Sequence, residues 1–236
     1  FDKEKERNER RLQWRGELVK WYETLRPLFV EADREWDHAI TAFRLWRDFD
    51  AKEGAKQVPR VTKLLTTLPP DEETRAKYAR QFGIQLADYQ MYDEARTLLE
   101  YVKDQVANLW LSYEIERRAN EQAAAVLALE ALMAQPDPEV ILKAKKTLAW
   151  YHKDHTRQYD KAIPLYLDIA EPPGTLWALQ ECYRKDGKKS EASTTLSELA
   201  SIFPSEAARA TWTQAQYREQ DGEKDRAIAL YRRLLS

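Results

Sequence analysis

The C-terminal quarter of the chain carries one pattern twice. Tyr183, Gly187, Ala192, Leu196 and Pro204 are followed 34 to 35 residues later by Tyr217, Gly222, Ala227 and Tyr231. Each run reads as an aromatic, a glycine in a polar turn, an alanine, and a large apolar residue four positions beyond it. Such a period belongs to a helix–turn–helix unit that cannot shelter its own apolar face and leans on the next unit. The pattern predicts an all-α fold, a right-handed α-solenoid of stacked helical hairpins.

Composition agrees with that shape. Of 236 residues, 43% are hydrophobic, enough for a core, while 33% are charged and demand a large wet surface. Only 6 glycines occur, too few for the closely spaced turns of a sandwich or barrel. Eight Trp and 12 Tyr supply ring area that helix pairs can bury. A net charge of −2 removes the simplest case for sequence-independent nucleic-acid binding, so no nucleic-acid partner is expected. No run approaches the ~18 apolar residues that span a bilayer, so no membrane insertion is expected. The single cysteine, Cys182, forms no internal disulfide.

Along the chain, residues 1–70 read as an N-terminal helical region that is only loosely repeat-like, and 71–236 as about five repeats, the last incomplete. Phe1 to Arg10 is nearly all charged and predicts frayed or solvated helix. Trp14, Leu18, Trp21, Leu25 and Leu28 then recur at steps of three and four, one stripe of a helix. Pro27 predicts a break near Arg26. A second helix is read from about Asp33, with Trp36, Ala39, Phe43 and Trp46 inward. Asp50–Pro59 reads as a loop, and Pro59 as the first turn of a short helix through Leu68. From Pro69-Pro70-Asp71 onward, helices are expected near 72–88, 92–104, 106–118, 121–134, 138–152, 160–170, 174–186, 189–202, 206–220 and 223–235. Gly83 predicts close approach of two helix backbones. Asp160 as a cap would place Pro164 among residues whose amides lack an intrahelical partner.

The run Leu176, Leu179, Tyr183, Gly187, Ala192, Leu196 and Pro204 resembles the tetratricopeptide repeat, with Gln180 at that family's small position. Phe82, Gly83, Tyr92, Ala95 and Leu99 form a similar unit. Leu111, Ser112, Ala124, Ala131 and Pro136 form a weaker one, and Tyr159, Ala162, Tyr166 and Ile169 follow a lengthened turn. Ser197 to Ala208 is also similar to repeats of bacterial cell-envelope proteins of the Tol–Pal-associated type, which slightly favours a periplasmic setting. The last repeat stops short of its closing proline position, from which a longer natural polypeptide is expected.

The resemblance implies a protein- or peptide-binding groove lined by the first helix of each hairpin. In the register set by Tyr183 and Pro204, Trp177 faces that groove with Glu181, Arg184 and Lys185. Equivalent positions are Arg80, Tyr113, Arg117, Lys145 and Lys153 upstream and Arg218 downstream. This basic and aromatic set suits an acidic or C-terminal peptide segment. Trp110, Trp150 and Trp212 are expected in the inter-helix core.

Catalytic constellations are lacking. There is no phosphate loop, nucleophile elbow or His-Glu-x-x-His, so no enzyme activity, no cofactor and no metal are expected. His152 and His155 read as solvated turn residues, His38 as a boundary residue, and Cys182 as a small buried thiol. The function expected is a non-enzymatic adaptor. The alternative is a regulatory or spacer module of a larger enzyme or assembly. Homo-oligomers through the N-terminal helices around Trp14 and Trp21 are a third reading.

Overall fold

The computed structural model describes residues 2–31 and 34–235, and it divides into two compact units, Phe1–Ala128 and Leu129–Ser236. The first holds α1 (Asp2–Thr24), α2 (Arg26–Glu31), α3 (Glu35–Phe49), α4 (Ala51–Thr67), α5 (Glu72–Asp88), α6 (Tyr92–Thr97), a 3-10 turn (Leu98–Tyr101) and α7 (Gln105–Arg118). The division falls within α8 (Gln122–Met133). The second unit continues with α9 (Pro138–Trp150), a π-helical segment (Tyr151–His155), α10 (Tyr159–Ile169), α11 (Gly174–Lys185), α12 (Lys189–Ile202), α13 (Pro204–Gln220) and α14 (Lys224–Leu235). Among the described residues there is no strand. Within each unit the helices pack on their neighbours in the chain, the arrangement of an α-solenoid. The expected all-α class therefore holds. Phe1 and Asp33 lie outside the described residues.

The hairpins share one turn. Gln90, Asn120, Arg157, Gly187 and Gly222 all adopt left-handed backbone, with φ of 63°, 60°, 56°, 79° and 79°. Each stands two residues before the second helix of its hairpin. After α11, the Lys188 amide bonds the Tyr183 carbonyl and the Gly187 amide bonds the Arg184 carbonyl. After α13, Glu223 bonds Arg218 and Gly222 bonds Glu219 in the same way. These paired bonds satisfy carbonyls that the helix end leaves open. Five residues past each left-handed position comes an alanine: Ala95, Ala125, Ala162, Ala192 and Ala227, none more than 3% exposed. A methyl side chain there lets the second helix lie against the first. The register thus corrects the sequence reading in the second repeat, where Ala125 rather than Ala124 fills this place.

Only two of the five turns contain glycine, which is why the others were less legible. Asparagine tolerates the left-handed region, whereas an unbranched side chain there costs about 1–2 kcal/mol. Gln90 is exposed, so its replacement loses no packing. Gln90→Gly is expected to stabilise the chain by about 0.5–1 kcal/mol, after allowing for glycine's extra entropy when unfolded. A higher urea midpoint with an unchanged slope would register it.

Unit 1 has one continuous core running from Trp36 to Ile115 through α3–α7. The segment read as a loop from Asp50 to Pro59 is helical. The Asp50 carboxylate accepts hydrogen bonds from the amides of Lys52 (2.8 Å) and Glu53 (3.2 Å), capping α4 at its start. Gly54 lets α4 close onto α3, since a Cβ there would lie 2.6 Å from Arg47 Cα. Pro59 accordingly sits inside α4, not in its first turn. Gly83 makes room for a side chain rather than a helix backbone: its nearest neighbour would be Leu111 Cδ1 at 3.2 Å. Pro164 lies past the first turn of α10, which starts at Tyr159 without a side-chain cap, so Asp160 is not the cap. That helix lacks one internal hydrogen bond as a result.

Candidate functional site: an open stripe on the first helices

Counting back from each left-handed residue fixes which way a first helix faces. Seven positions before it stand Gly83, Tyr113, Gln180 and Ala215, and Ala149 once the extra residue of the π-helical segment is allowed for. All five are buried. Gln180 departs from the small residue at this place but is used: its side chain accepts the Tyr217 hydroxyl (2.9 Å) and donates to the Trp177 carbonyl (3.1 Å).

In unit 2 the positions ten, six and three before the turn form a different stripe. With the extra π-helical residue again allowed for, they are Lys146 and Trp150 on α9 with Lys153 in the π-helical segment that follows it, Trp177, Glu181 and Arg184 on α11, and Trp212, Gln216 and Glu219 on α13. Spacings of four and three keep each trio on one helix face. None of the nine is buried.

Side-chain bonds tie successive first helices together along this stripe. Lys153 Nζ lies 2.8 Å from Glu181 of α11 and 3.1 Å from Asp154. Burial opposes its charge, and the hydrogen bonds to Glu181 and Asp154 outweigh that, holding the ammonium above the ordinary lysine range. Trp177 Nε1 donates to Glu206 of α13 (3.0 Å), and the Arg209 guanidinium sits 4.1 Å from the centre of its ring. Arg184 donates to both oxygens of Asp221 (2.8 and 2.9 Å) and stacks on Tyr217. Lys189 adds a third bond to Asp221 at 2.6 Å. Hydrogen bonds from Arg184 and then Lys189 hold the Asp221 carboxyl well below the usual carboxylate range. Beside this cluster opens a cleft of about 320 Å³ lined by Arg184, Lys189, Ser193, Gln214 and Arg218, among others.

The residues expected in a groove therefore fall into several classes. Trp177, Glu181, Arg184 and Lys153 share the stripe, each engaged across helices. Arg184 and Arg218 meet at the cleft, where Arg218 donates to Glu223 and to Ser193 Oγ (3.2 Å each). Lys185 is exposed and makes no ion pair among the described residues. Lys145 pairs with Asp168 on the second helix of its own hairpin. In unit 1, Arg117 pairs with Glu114 at 3.0 Å. Arg80 is exposed at a cleft of about 950 Å³ that it shares with Glu73, Lys77 and Lys103. Tyr113 is 2% exposed and cannot line a groove. A one-residue slip, from taking Ser112 as the small position, turns a helix by about 100° and accounts for that misplacement.

The tryptophans expected in the core are likewise corrected. Trp150 is 43% and Trp212 51% exposed, the latter edge-on to Tyr231 at 5.0 Å. Trp110 is partly buried and meets Tyr113 edge-on. Lys146, Trp150, Trp212, Gln216 and Glu219 are the stripe residues the sequence reading missed, together with Arg209, which stacks on Trp177. The signal that finds those on α13 is the turn register, which Gly222 already marked.

His152 is buried, not solvated, while His155 is exposed. One extra residue in the π-helical segment turns His152 into the register of Leu86 and Tyr183, and Gln158 bonds its carbonyl (2.8 Å). Burial, with Lys161 nearby, lowers its pKa. His38 is also fully buried rather than at a boundary, stacked on Tyr22 at 4.8 Å with Nε2 3.1 Å from the Tyr22 carbonyl oxygen. Cys182 is fully buried and burial pushes its thiol up to about 12, a poor nucleophile. Among the described residues no three His, Cys, Asp or Glu side chains converge as metal ligands. No described helix is long and apolar enough to cross a membrane.

No family model matches the chain, and no curated protein does. Among solved structures, one described as MamA AMB-1 is similar at 23% identity and a TM-score of 0.47, over 69% of this chain and 91% of that one.

Proposed function

We propose that the chain is a non-enzymatic scaffold that binds a protein or peptide along the open stripe of unit 2. The observation that carries this reading is a row of large side chains that is ordered yet open to solvent. Trp177 is fixed by Glu206 and Arg209, while Trp150 and Trp212 expose about half their surface on the same face of their helices. Aromatic rings and guanidinium groups held in place lose little freedom when a partner arrives, so less of the contact energy is spent on ordering. Arg209, stacked on Trp177 and largely exposed, suits the carboxylate of an acidic side chain or a C-terminus.

The test is capture of partners by the complete protein and by the double variant Trp212→Ala, Arg209→Glu. Both side chains are exposed, so helical circular dichroism should change little, while melting should fall modestly because Arg209 also stacks on Trp177 and pairs with Glu206 at 3.8 Å. Partners bound along the stripe are expected to be lost at least tenfold, as befits central aromatic and arginine contacts. A folded double variant that retains every partner would exclude the stripe as the binding face.

A further inference from the structure

We propose that two copies of this chain associate through the outer face of α1 and α3, each seating its Trp14 in the cleft beside the other's. Trp14 is 65% and Trp21 59% exposed, two turns apart on one line of α1. Such rings are large apolar surfaces that a lone soluble chain seldom leaves in a row. Next to Trp14 opens a cleft of about 440 Å³, floored by Leu18, Val19, Leu45 and Phe49 and edged by Arg15 and Asp48. The face thus carries both a projecting ring and an apolar recess.

Charge selects the occupant. Among the described residues neither Arg15 nor Asp48 makes an ion pair, and one oxygen of Asp48 accepts the Tyr89 hydroxyl at 2.9 Å. A surface complementary to this cleft must offer an apolar projection, an acid opposite Arg15 and a base opposite Asp48. This same face offers all three. In a two-fold pair, a patch that is its own complement makes each contact twice, so Arg15 of each copy meets Asp48 of the other. An anionic membrane would repel Asp48, and a uniformly basic partner would repel Arg15. All of these groups belong to unit 1, and the inference is independent of the stripe in unit 2.

Sedimentation equilibrium of the complete chain tests it, with helical circular dichroism as the control for folding. The wild type is expected to dimerise below about 100 µM, and Trp14→Ala to weaken the dimer about thirtyfold or more. Arg15→Asp alone and Asp48→Arg alone each oppose like charges twice and should be monomeric. An equimolar mixture of those two variants restores both pairs and should dimerise. A wild type that stays monomeric, a dimer indifferent to Trp14→Ala, or a mixture that fails to associate would each overturn the proposal. So would a monomer that co-sediments with phosphatidylglycerol-containing vesicles through Trp14, since that assigns the face to a lipid surface.

Discussion

Replacing Phe82 with alanine is expected to destabilise unit 1 by about 3–5 kcal/mol, the range for removing a large ring from a core that closes only partly around the cavity. Phe82 is fully buried on α5, edge-on to Phe43 at 5.2 Å and to Trp36 at 6.3 Å. It thereby joins the N-terminal helices to the first repeat-like hairpin within one core. Urea denaturation of the complete chain, followed by far-ultraviolet circular dichroism, should show an early transition absent from the wild type. Phe82→Leu keeps most of the volume and should cost much less. If the two variants unfolded alike, the rings would not form the junction described.

Arg184→Met should destabilise unit 2 by about 2 kcal/mol, because Asp221 loses two charge-assisted hydrogen bonds and keeps only Lys189. Side-chain exposures of 14% for Arg184 and 13% for Asp221 place the pair largely out of water. The pH dependence has a definite sign. The Asp221 carboxyl is depressed in the folded chain below its ordinary value of 3.8. Its contribution is therefore complete above that value and is lost as pH falls through the folded-state value. The stability gap between wild type and Arg184→Met should be full near neutrality and narrow below pH 3.8. A gap that stayed constant into acid would mean that packing on Tyr217, not the carboxylate, holds Arg184. The sequence register placed Arg184 in the groove, where a charge reversal would test binding alone. Its bonds across to α13 and the turn beyond show that such a change alters stability as well.

Helices and hairpins were legible in the sequence because their signals are local. The repeated glycines, the alanines after them and the apolar spacing depend on residues within a turn or two of one another. That locality explains why all ten helices expected after Pro70 have counterparts in the structure, with boundaries shifted by only a few residues apart from the tightened 3-10 end of one and the π-helical end of another. The face each side chain presents was less secure. It depends on counting without error from a fixed point, and the π-helical segment, the left-handed Asn120 and the left-handed Gln90 each conceal one. Tyr113, His152 and Trp150 were misplaced for that reason, whereas Trp212 was misplaced although Gly222 marks its register.

From the sequence alone came the all-helical class, the hairpin period, the buried thiol of Cys182 and the aromatic and basic character of the first helices. These follow from propensity and periodicity, which act over short stretches of chain. Tertiary structure alone decided that Asp50 and Gly54 build a helix where a loop was expected, since Gly54 owes its place to Arg47 on another helix. It also decided that Glu181, Arg184 and Trp177 are bound across helices, because a polar side chain's partner is set by packed neighbours distant in sequence.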